Sequence, residues 1–460
     1  MTTTDFFGLL RCPECGHDLA YEPVPQREAE AGECGLLRCS CFNYPVLDGI
    51  PILTQERLVH RSIADDRVVA DGPLPEDLAG LIGAERALDG LVDLLTFPVC
   101  PWPFNRVGAL RRLSLRAPHH ALGLAYRKRR IRRMLARRET LTAEDWLAAF
   151  YWHAPAPFDP FNYFFFRFAQ PRHLATLALL SILPSDEAPL LDLACGYGHF
   201  LHTVTSDGQR AVGLDQNFHQ LWVARHYVAP LAEFVCADAA NTLPFGDNIF
   251  SAALCADAFQ YFSNSSAVLD ELARCTNDGP ILLTGVTNRL VDPAETDALT
   301  PNEYAELLER WQWCCLTEEA VLTSYLGQRG PDLRTSSASE ALDTSHWLYY
   351  IIAKDDELFC DHGPFEKWPH SIGKISVNPI YGVNGDHMEF QFPSPWFEFE
   401  NKRMQEYMPA SACLQDNKST LLAQTVLIGL PNRYARATGR PWPVSANRRL
   451  QYLVRRPNPS

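Results

Sequence analysis

Residues Leu190-Leu191-Asp192-Leu193-Ala194-Cys195-Gly196-Tyr197-Gly198-His199-Phe200 constrain this chain more than any other stretch. An apolar run of this length, broken at once by two glycines, predicts a buried strand whose carboxyl end opens into a turn, because glycine takes positive φ and lets a ligand approach the main chain. Phe200, Leu201 and Val204 follow at helical spacing, so the turn feeds a helix whose first N–H groups point back into the crevice. Two more strands are predicted downstream, Arg210 to Leu214 stopping at Asp215, and Phe234 to Ala237 stopping at Asp238. In a parallel βαβ unit an acid at the end of the second strand lies where ribose hydroxyls arrive, and a charge-assisted hydrogen bond there contributes about 1.5–3 kcal/mol.

Two kinds of unit share this outline, a nicotinamide- or flavin-binding half and an S-adenosylmethionine site. The dinucleotide fingerprint asks for a third small residue three places after the second glycine, and Leu201 stands there. Asp192 inside the first strand is an expensive burial for a plain packing position but suits an acid that holds the turn and the amino-acid end of a ligand. From Leu190 to Val286 the chain resembles class I S-adenosylmethionine-dependent methyltransferases, in the branch similar to ubiquinone- and menaquinone-pathway enzymes. Leu-Asp-Leu-Ala-Cys-Gly-Tyr-Gly resembles the first motif of that family, Gly-Leu-Asp215 the second, and Cys-Ala-Asp238-Ala239 the adenine-contacting third. Phe250 to Tyr261 looks like the fourth strand and the motif after it, while Asn277-Asp278-Gly279-Pro280 departs from the usual Lys-Pro-Gly-Gly-like turn. The resemblance implies an α/β fold with a seven-stranded Rossmann-like sheet, and S-adenosylmethionine held by Asp192, Ala194, Cys195, Gly196, Gly198, Asp215, Asp238 and Ala239. It also implies that the loop after the fourth strand faces the transferable methyl, which makes Asp257, Gln260 and Tyr261 the candidate catalytic or substrate-contacting residues, with His199 a further candidate.

Cysteine usage singles out the amino end: five of the fourteen fall within the first 41 residues. Cys12-Pro-Glu-Cys15 places two thiolates within reach of one metal ion, and Cys39-Ser-Cys41 offers a second pair. Together with Tyr44 to Leu53 this resembles the small zinc-ribbon family that activates tRNA, rRNA and release-factor methyltransferases, or is fused to bacterial ones. That likeness implies a structural zinc on Cys12, Cys15, Cys39 and Cys41, with Cys34 an alternative ligand and a metal-free ribbon the alternative state. Loss of that zinc is expected to unfold residues 1–54 while sparing the catalytic core.

The rest divides into a helical, partly basic insert at 55–160, the transferase domain at 161–356 and a β-containing appendage at 357–460. Ala84 to Leu95 is amphipathic by spacing, and Pro98, Pro101 and Pro103 interrupt the chain after it. Twelve basic residues between Arg106 and Arg138 then form a run with three readings: RNA phosphate contact, contact with an anionic membrane surface, or a solvated face. In the appendage, Ile375 to Tyr381 and Met388 to Phe392 flank Asn384-Gly385, a hairpin signal. The aromatic stretch Phe161 to Phe168 reads as core, with some rings available to line a cavity. With a net charge of −14 and no apolar run of ~20 residues, a general nucleic-acid binder and a transmembrane protein are both disfavoured, and a cytoplasmic enzyme is expected. The expected acceptor is a small molecule or a glycan or lipid precursor. An RNA base methyltransferase and a non-catalytic, partner-binding module are the alternatives.

Overall fold

The computed structural model describes residues 3–61, 68–96, 116–151, 160–183, 187–293, 297–327, 329–354 and 356–364, with short pieces between 376 and 426. Pro98, Pro101, Pro103, Arg106, Arg111 and Arg112 lie outside the described residues.

After a single helical turn, α1 (Thr3–Phe7), the chain forms a four-stranded antiparallel sheet of β1 (Ala20–Pro23), β2 (Gly35–Arg38), β3 (Asn43–Leu47) and β4 (Ile50–Pro51). The last hairpin turns over Asp48-Gly49, both at positive φ (49° and 75°), the backbone a two-residue hairpin loop demands. Its exit continues onto another sheet: Ile52 bridges Cys236 in parallel, and Leu53 N–H donates to Cys236 C=O at 2.8 Å. At the other end of the ribbon, Arg11 N–H donates to Pro244 C=O at 3.0 Å.

A hairpin of β5 (Val59–Arg61) and β6 (Val68–Asp71) leads to α2 (Pro75–Gly83), α3 (Ala87–Thr96), α4 (Arg116–Leu135), α5 (Ala143–Tyr151), α6 (Pro160–Phe166) and α7 (Pro171–Leu180). The helix expected from Ala84 begins at Ala87 instead, because Ala84 caps α2 and Glu85 takes φ 59°.

The large sheet is built from β7 (Leu190–Leu193), α8 (His199–Ser206), β8 (Ala211–Asp215), α9 (Phe218–Val223), β9 (Glu233–Cys236), β10 (Ala252–Ala256), α10 (Ser265–Thr276), β11 (Ile281–Thr287), α11 (Pro301–Leu307), β12 (Gln312–Thr317), α12 (Glu318–Leu326), α13 (Ser339–Thr344) and β13 (Trp347–Ala353). The strand order is β12-β13-β11-β10-β7-β8-β9, with β13 antiparallel to both neighbours and every other pairing parallel. This is the class I methyltransferase fold. From β7 the chain steps outward through β8 and β9, then returns to start β10 on the other side of β7. The carboxyl ends of β7 and β10 therefore flank a topological switch point, where open α/β sheets bind ligands. All seven residues of β11 are buried, as expected for a strand with both faces covered.

Leu36, Leu47, Ile50 and Ile52 of the ribbon pack in the apolar layer on one face of this sheet, and Leu37, Tyr44, Val46 and Leu53 in the layer on the other. Because the ribbon shares both cores with the body, this packing favours unfolding coupled to the body over separate unfolding of residues 1–54.

In the appendage, β14 (Ser376–Val377) pairs with β18 (Thr425–Val426), while β15 (Tyr381–Asn384), β16 (His387–Phe390) and β17 (Ser411–Cys413) form a small antiparallel sheet. The hairpin around Asn384 is present, but its first arm starts at Tyr381 rather than Ile375. Residues 376–377 pair elsewhere.

Candidate functional site

The crevice is made by the loop between β7 and α8. Ala194, Gly196 and Gly198 take φ of 58°, 54° and 70°. A side chain at Gly198 would meet Ala224 Cβ at 3.2 Å and the Phe234 ring at 3.5 Å, so this glycine serves packing as well as backbone conformation. Asp215, at the end of β8, clamps the turn: Oδ2 accepts from Gly196 N–H at 2.9 Å, and Oδ1 accepts from Asn217 N–H at 2.8 Å and its side-chain amide at 3.1 Å. Asp238 Oδ1 accepts from Ala240 N–H at 2.9 Å, and Ala239 beside it is buried. Cys195 fits because Gly213 on β8 has no side chain, the place of its Cβ being 2.7 Å from Cys195 Sγ.

Asp192 is 1 % exposed, and its Oδ2 has no hydrogen-bond partner among the described residues. Burial, then the nearby Asp215 charge, hold its carboxyl well above the usual range, with Arg167 opposing them. Gln220 Nε2 on α9 and Gln260 Oε1 after β10 are likewise buried without a partner among the described residues. Buried polar atoms are rarely left unpaired. An acceptor on Asp192 under the glycine turn fits a ligand ammonium group, as S-adenosylmethionine carries.

After β10, Asp257 adopts φ 58° and its N–H donates to Thr284 C=O at 2.7 Å. Arg167 donates to its Oδ2 at 2.9 Å, and Arg172 to both oxygens at 2.8 and 2.9 Å. The Arg172 guanidinium also lies 4.2 Å from the centroid of the Trp347 ring. Gln260 is buried in the following 3-10 turn, and Tyr261 is 38 % exposed. Asp257 thus holds two buried guanidinium groups. His199 is turned into the protein: a ring nitrogen pairs with Phe164 C=O at 3.0 Å, and burial, then the Arg167 charge, lower its pKa to about 3. It is a neutral imidazole near pH 7. Phe164 packs edge-on against Tyr197 at 5.0 Å, so the aromatic stretch covers the glycine turn.

Arg167, Arg172 and Gln220 escaped the sequence reading. The available signal was an arginine standing inside a run of aromatic residues, since a cation buried there needs a partner.

In the ribbon, the sulfurs of Cys12, Cys15, Cys39 and Cys41 all lie within 4.8 Å of one another. A tetrahedral zinc–thiolate site has sulfurs about 3.8 Å apart, so the donor set fits with small closure. Gly16 N–H donates to Cys12 C=O at 2.8 Å with Gly16 at φ 72°, and Cys41 N–H points at Cys39 Sγ at 3.2 Å. These turns shape the two halves of the site. Cys34 stands apart, donating to Ala31 C=O at 3.3 Å in the core, so the alternative that it replaces a ligand is not met by this arrangement.

Residues 191–284 match the family model described as a methyltransferase domain. The demethylmenaquinone methyltransferase of Corynebacterium kroppenstedtii is 34% identical over 96 residues, 21% of this chain and 40% of the relative. The enzyme of the same description from Corynebacterium urealyticum is 33% identical over 100 residues, 22% of this chain and 41% of the relative. The chain thus spans about two-fifths of the length of the curated relatives it matches. A solved TehB-like SAM-dependent methyltransferase from Corynebacterium glutamicum aligns with 17% identity and a TM-score of 0.30, covering 40% of this chain and 88% of that one.

Proposed function

We propose that this chain transfers the methyl group of S-adenosylmethionine to a small-molecule acceptor or a glycan or lipid precursor. The observation that carries the reading is the buried Asp192 Oδ2, without a partner among the described residues, on the strand that leads into the Gly196–Gly198 turn and within a segment that matches a methyltransferase domain. Asp192 takes the ammonium group, Asp215 the ribose hydroxyls, and Asp238 with Ala239 the adenine. Ala194, Cys195, Gly196 and Gly198 give the main chain its close approach. The bound cofactor supplies a methyl already activated on a sulfonium, so the protein's contribution is alignment of the acceptor and exclusion of water. Gln260, whose Oε1 is buried without a partner among the described residues, takes a hydrogen bond from an acceptor hydroxyl or amine in this reading. Tyr261, exposed in the same turn, is the further substrate contact in this reading, and Asp257 positions Arg167 and Arg172. Cys12, Cys15, Cys39 and Cys41 hold one structural zinc ion, which stiffens the ribbon along the β9 edge.

Titration calorimetry with S-adenosylmethionine and its demethylated product tests the cofactor, and tight NADH binding instead would overturn the reading. Labelled methyl should enter the small-molecule or lipid fraction of an extract and survive ribonuclease. Label confined to RNA would establish the RNA reading in its place.

A further inference from the structure

The basic run is divided by the structure into two faces. On α4, Ile131, Met134 and Leu135 are buried against the body, and the cations beside them are already paired: Lys128 with Asp93, and Arg132 with Asp89 and Glu28. Beyond the helix, Arg138 reaches Asp48 at 3.3 Å. The opposite face carries Leu122, Tyr126, Arg129 and Arg133 at steps of four, three and four residues, one line along a helix, with Arg130 flanking it. All five are exposed, Leu122 by 69 % and Tyr126 by 59 %. Both large apolar side chains therefore lie on the same line as the arginines that point outward, a line about 17 Å long from Leu122 to Arg133.

We infer that this outer face of α4 is a docking surface for an anionic lipid bilayer. Charge complementarity selects the occupant. Arg127 to Arg133 holds six basic residues and no acid in a chain of net charge −14, so an anionic surface repels the molecule as a whole and attracts it at this helix. The apolar pair selects against RNA. A helix lying in the membrane interface needs aliphatic and aromatic side chains next to its cations, whereas a single-stranded RNA platform needs successive rings, and Tyr126 is the sole ring among the exposed residues of this line. Leu122 and Tyr126 enter the headgroup region while Arg129, Arg130 and Arg133 meet lipid phosphates. The helix lies in the plane of the surface. It does not cross it, since no helix among the described residues is long and apolar enough to span a membrane.

The test is co-sedimentation of the full chain with vesicles of phosphatidylcholine alone and of phosphatidylcholine with 30% phosphatidylglycerol, at low and physiological salt, beside a 30-nucleotide single-stranded RNA (about the length that brackets one site). Binding is expected to the anionic vesicles and to weaken as salt shortens the screening length. The triple variant R129Q/R130Q/R133Q should lose roughly 100-fold in vesicle affinity. L122S/Y126S should lose roughly tenfold at unchanged charge. Lys128→Gln, on the body-facing side, should stay within about twofold. Circular dichroism melts of each variant separate loss of binding from loss of fold. Equal binding to neutral vesicles, absence of binding, or wild-type binding by L122S/Y126S overturns the inference. So does RNA binding lost in the triple variant of a chain that ignores vesicles.

Discussion

Asp48 Oδ2, in the hairpin turn of the ribbon, accepts a 2.8 Å hydrogen bond from Trp222 Nε1 on α9, although 174 residues separate the two in sequence. The same oxygen meets His226 Nε2 at 2.9 Å and Arg138 at 3.3 Å, so one buried carboxylate ties together the ribbon, the segment after α4 and the α9 segment that also carries Gln220. Burial works against the charge of Asp48, but the hydrogen bond and charge of His226, the Arg138 charge and Trp222 outweigh it and hold its carboxyl below the usual value.

Asp48→Asn should therefore lower stability by about 2 kcal/mol, less than a fully buried pair because Arg138 and His226 keep some water contact. The folded-state pKa lies below the unfolded one. The contribution is then complete above about pH 4 and is lost as pH falls through the folded value. Urea melts at pH 7 and pH 3 should show a gap between wild type and variant that narrows at the lower pH. An equal gap at both would mean that the charge of Asp48 does not matter.

Asp215→Ala should weaken S-adenosylmethionine and its demethylated product alike, by roughly 10- to 100-fold, through loss of charge-assisted hydrogen bonds. Because Asp215 also clamps Gly196 N–H, part of the loss reflects a loosened turn. Calorimetry measures it, and unchanged affinity would remove Asp215 from the cofactor site.

Asp192 makes a pH-dependent prediction. Its carboxyl is held protonated to higher pH than usual by burial and by Asp215, while an incoming ammonium group favours the ionised form. Cofactor binding should thus release a proton, and affinity should rise with pH until Asp192 is ionised in the free protein. Calorimetry in buffers of different ionisation enthalpy reads the proton directly. Asp192→Asn should abolish that component, and a variant releasing the same proton would place the titration elsewhere.

Metal analysis should find one zinc per chain, lost in Cys12→Ser and Cys39→Ser. Because Leu36, Ile52, Tyr44 and Leu53 sit in the cores shared with the large sheet, metal loss should lower the main melting transition rather than detach a separate one. An early transition confined to residues 1–54, seen by hydrogen exchange, would show that the shared packing is weak.

What could be read in advance was local. The Leu190–Phe200 pattern, the acids closing β8 and β9 and the Cys12–Cys15 knuckle each lie within a dozen residues, where periodicity and glycine chemistry decide the structure. The aspects that escaped were contacts across long stretches of chain. Arg167 and Arg172 find Asp257 at separations of 90 and 85 residues, and no spacing rule connects a run of aromatic residues to the turn after the fourth strand. Likewise, Ile52 gave no sign that its partner would be Cys236, because the edge it completes exists only once β9 is in place.

That dependence has a temporal side. During synthesis the ribbon emerges before the large sheet, and Cys236, the residue it docks against, follows roughly 180 residues later, an interval of about 10–40 s at ordinary ribosomal rates. Throughout that time Ile50, Ile52 and Leu53 have no β9 edge to cover them, and such a strand is an open invitation to pair with a neighbouring nascent chain. A metal ion gripped by Cys12, Cys15, Cys39 and Cys41 would give the waiting segment a fixed shape before its dock is made, and would then guard assembly on the ribosome as much as brace the finished molecule.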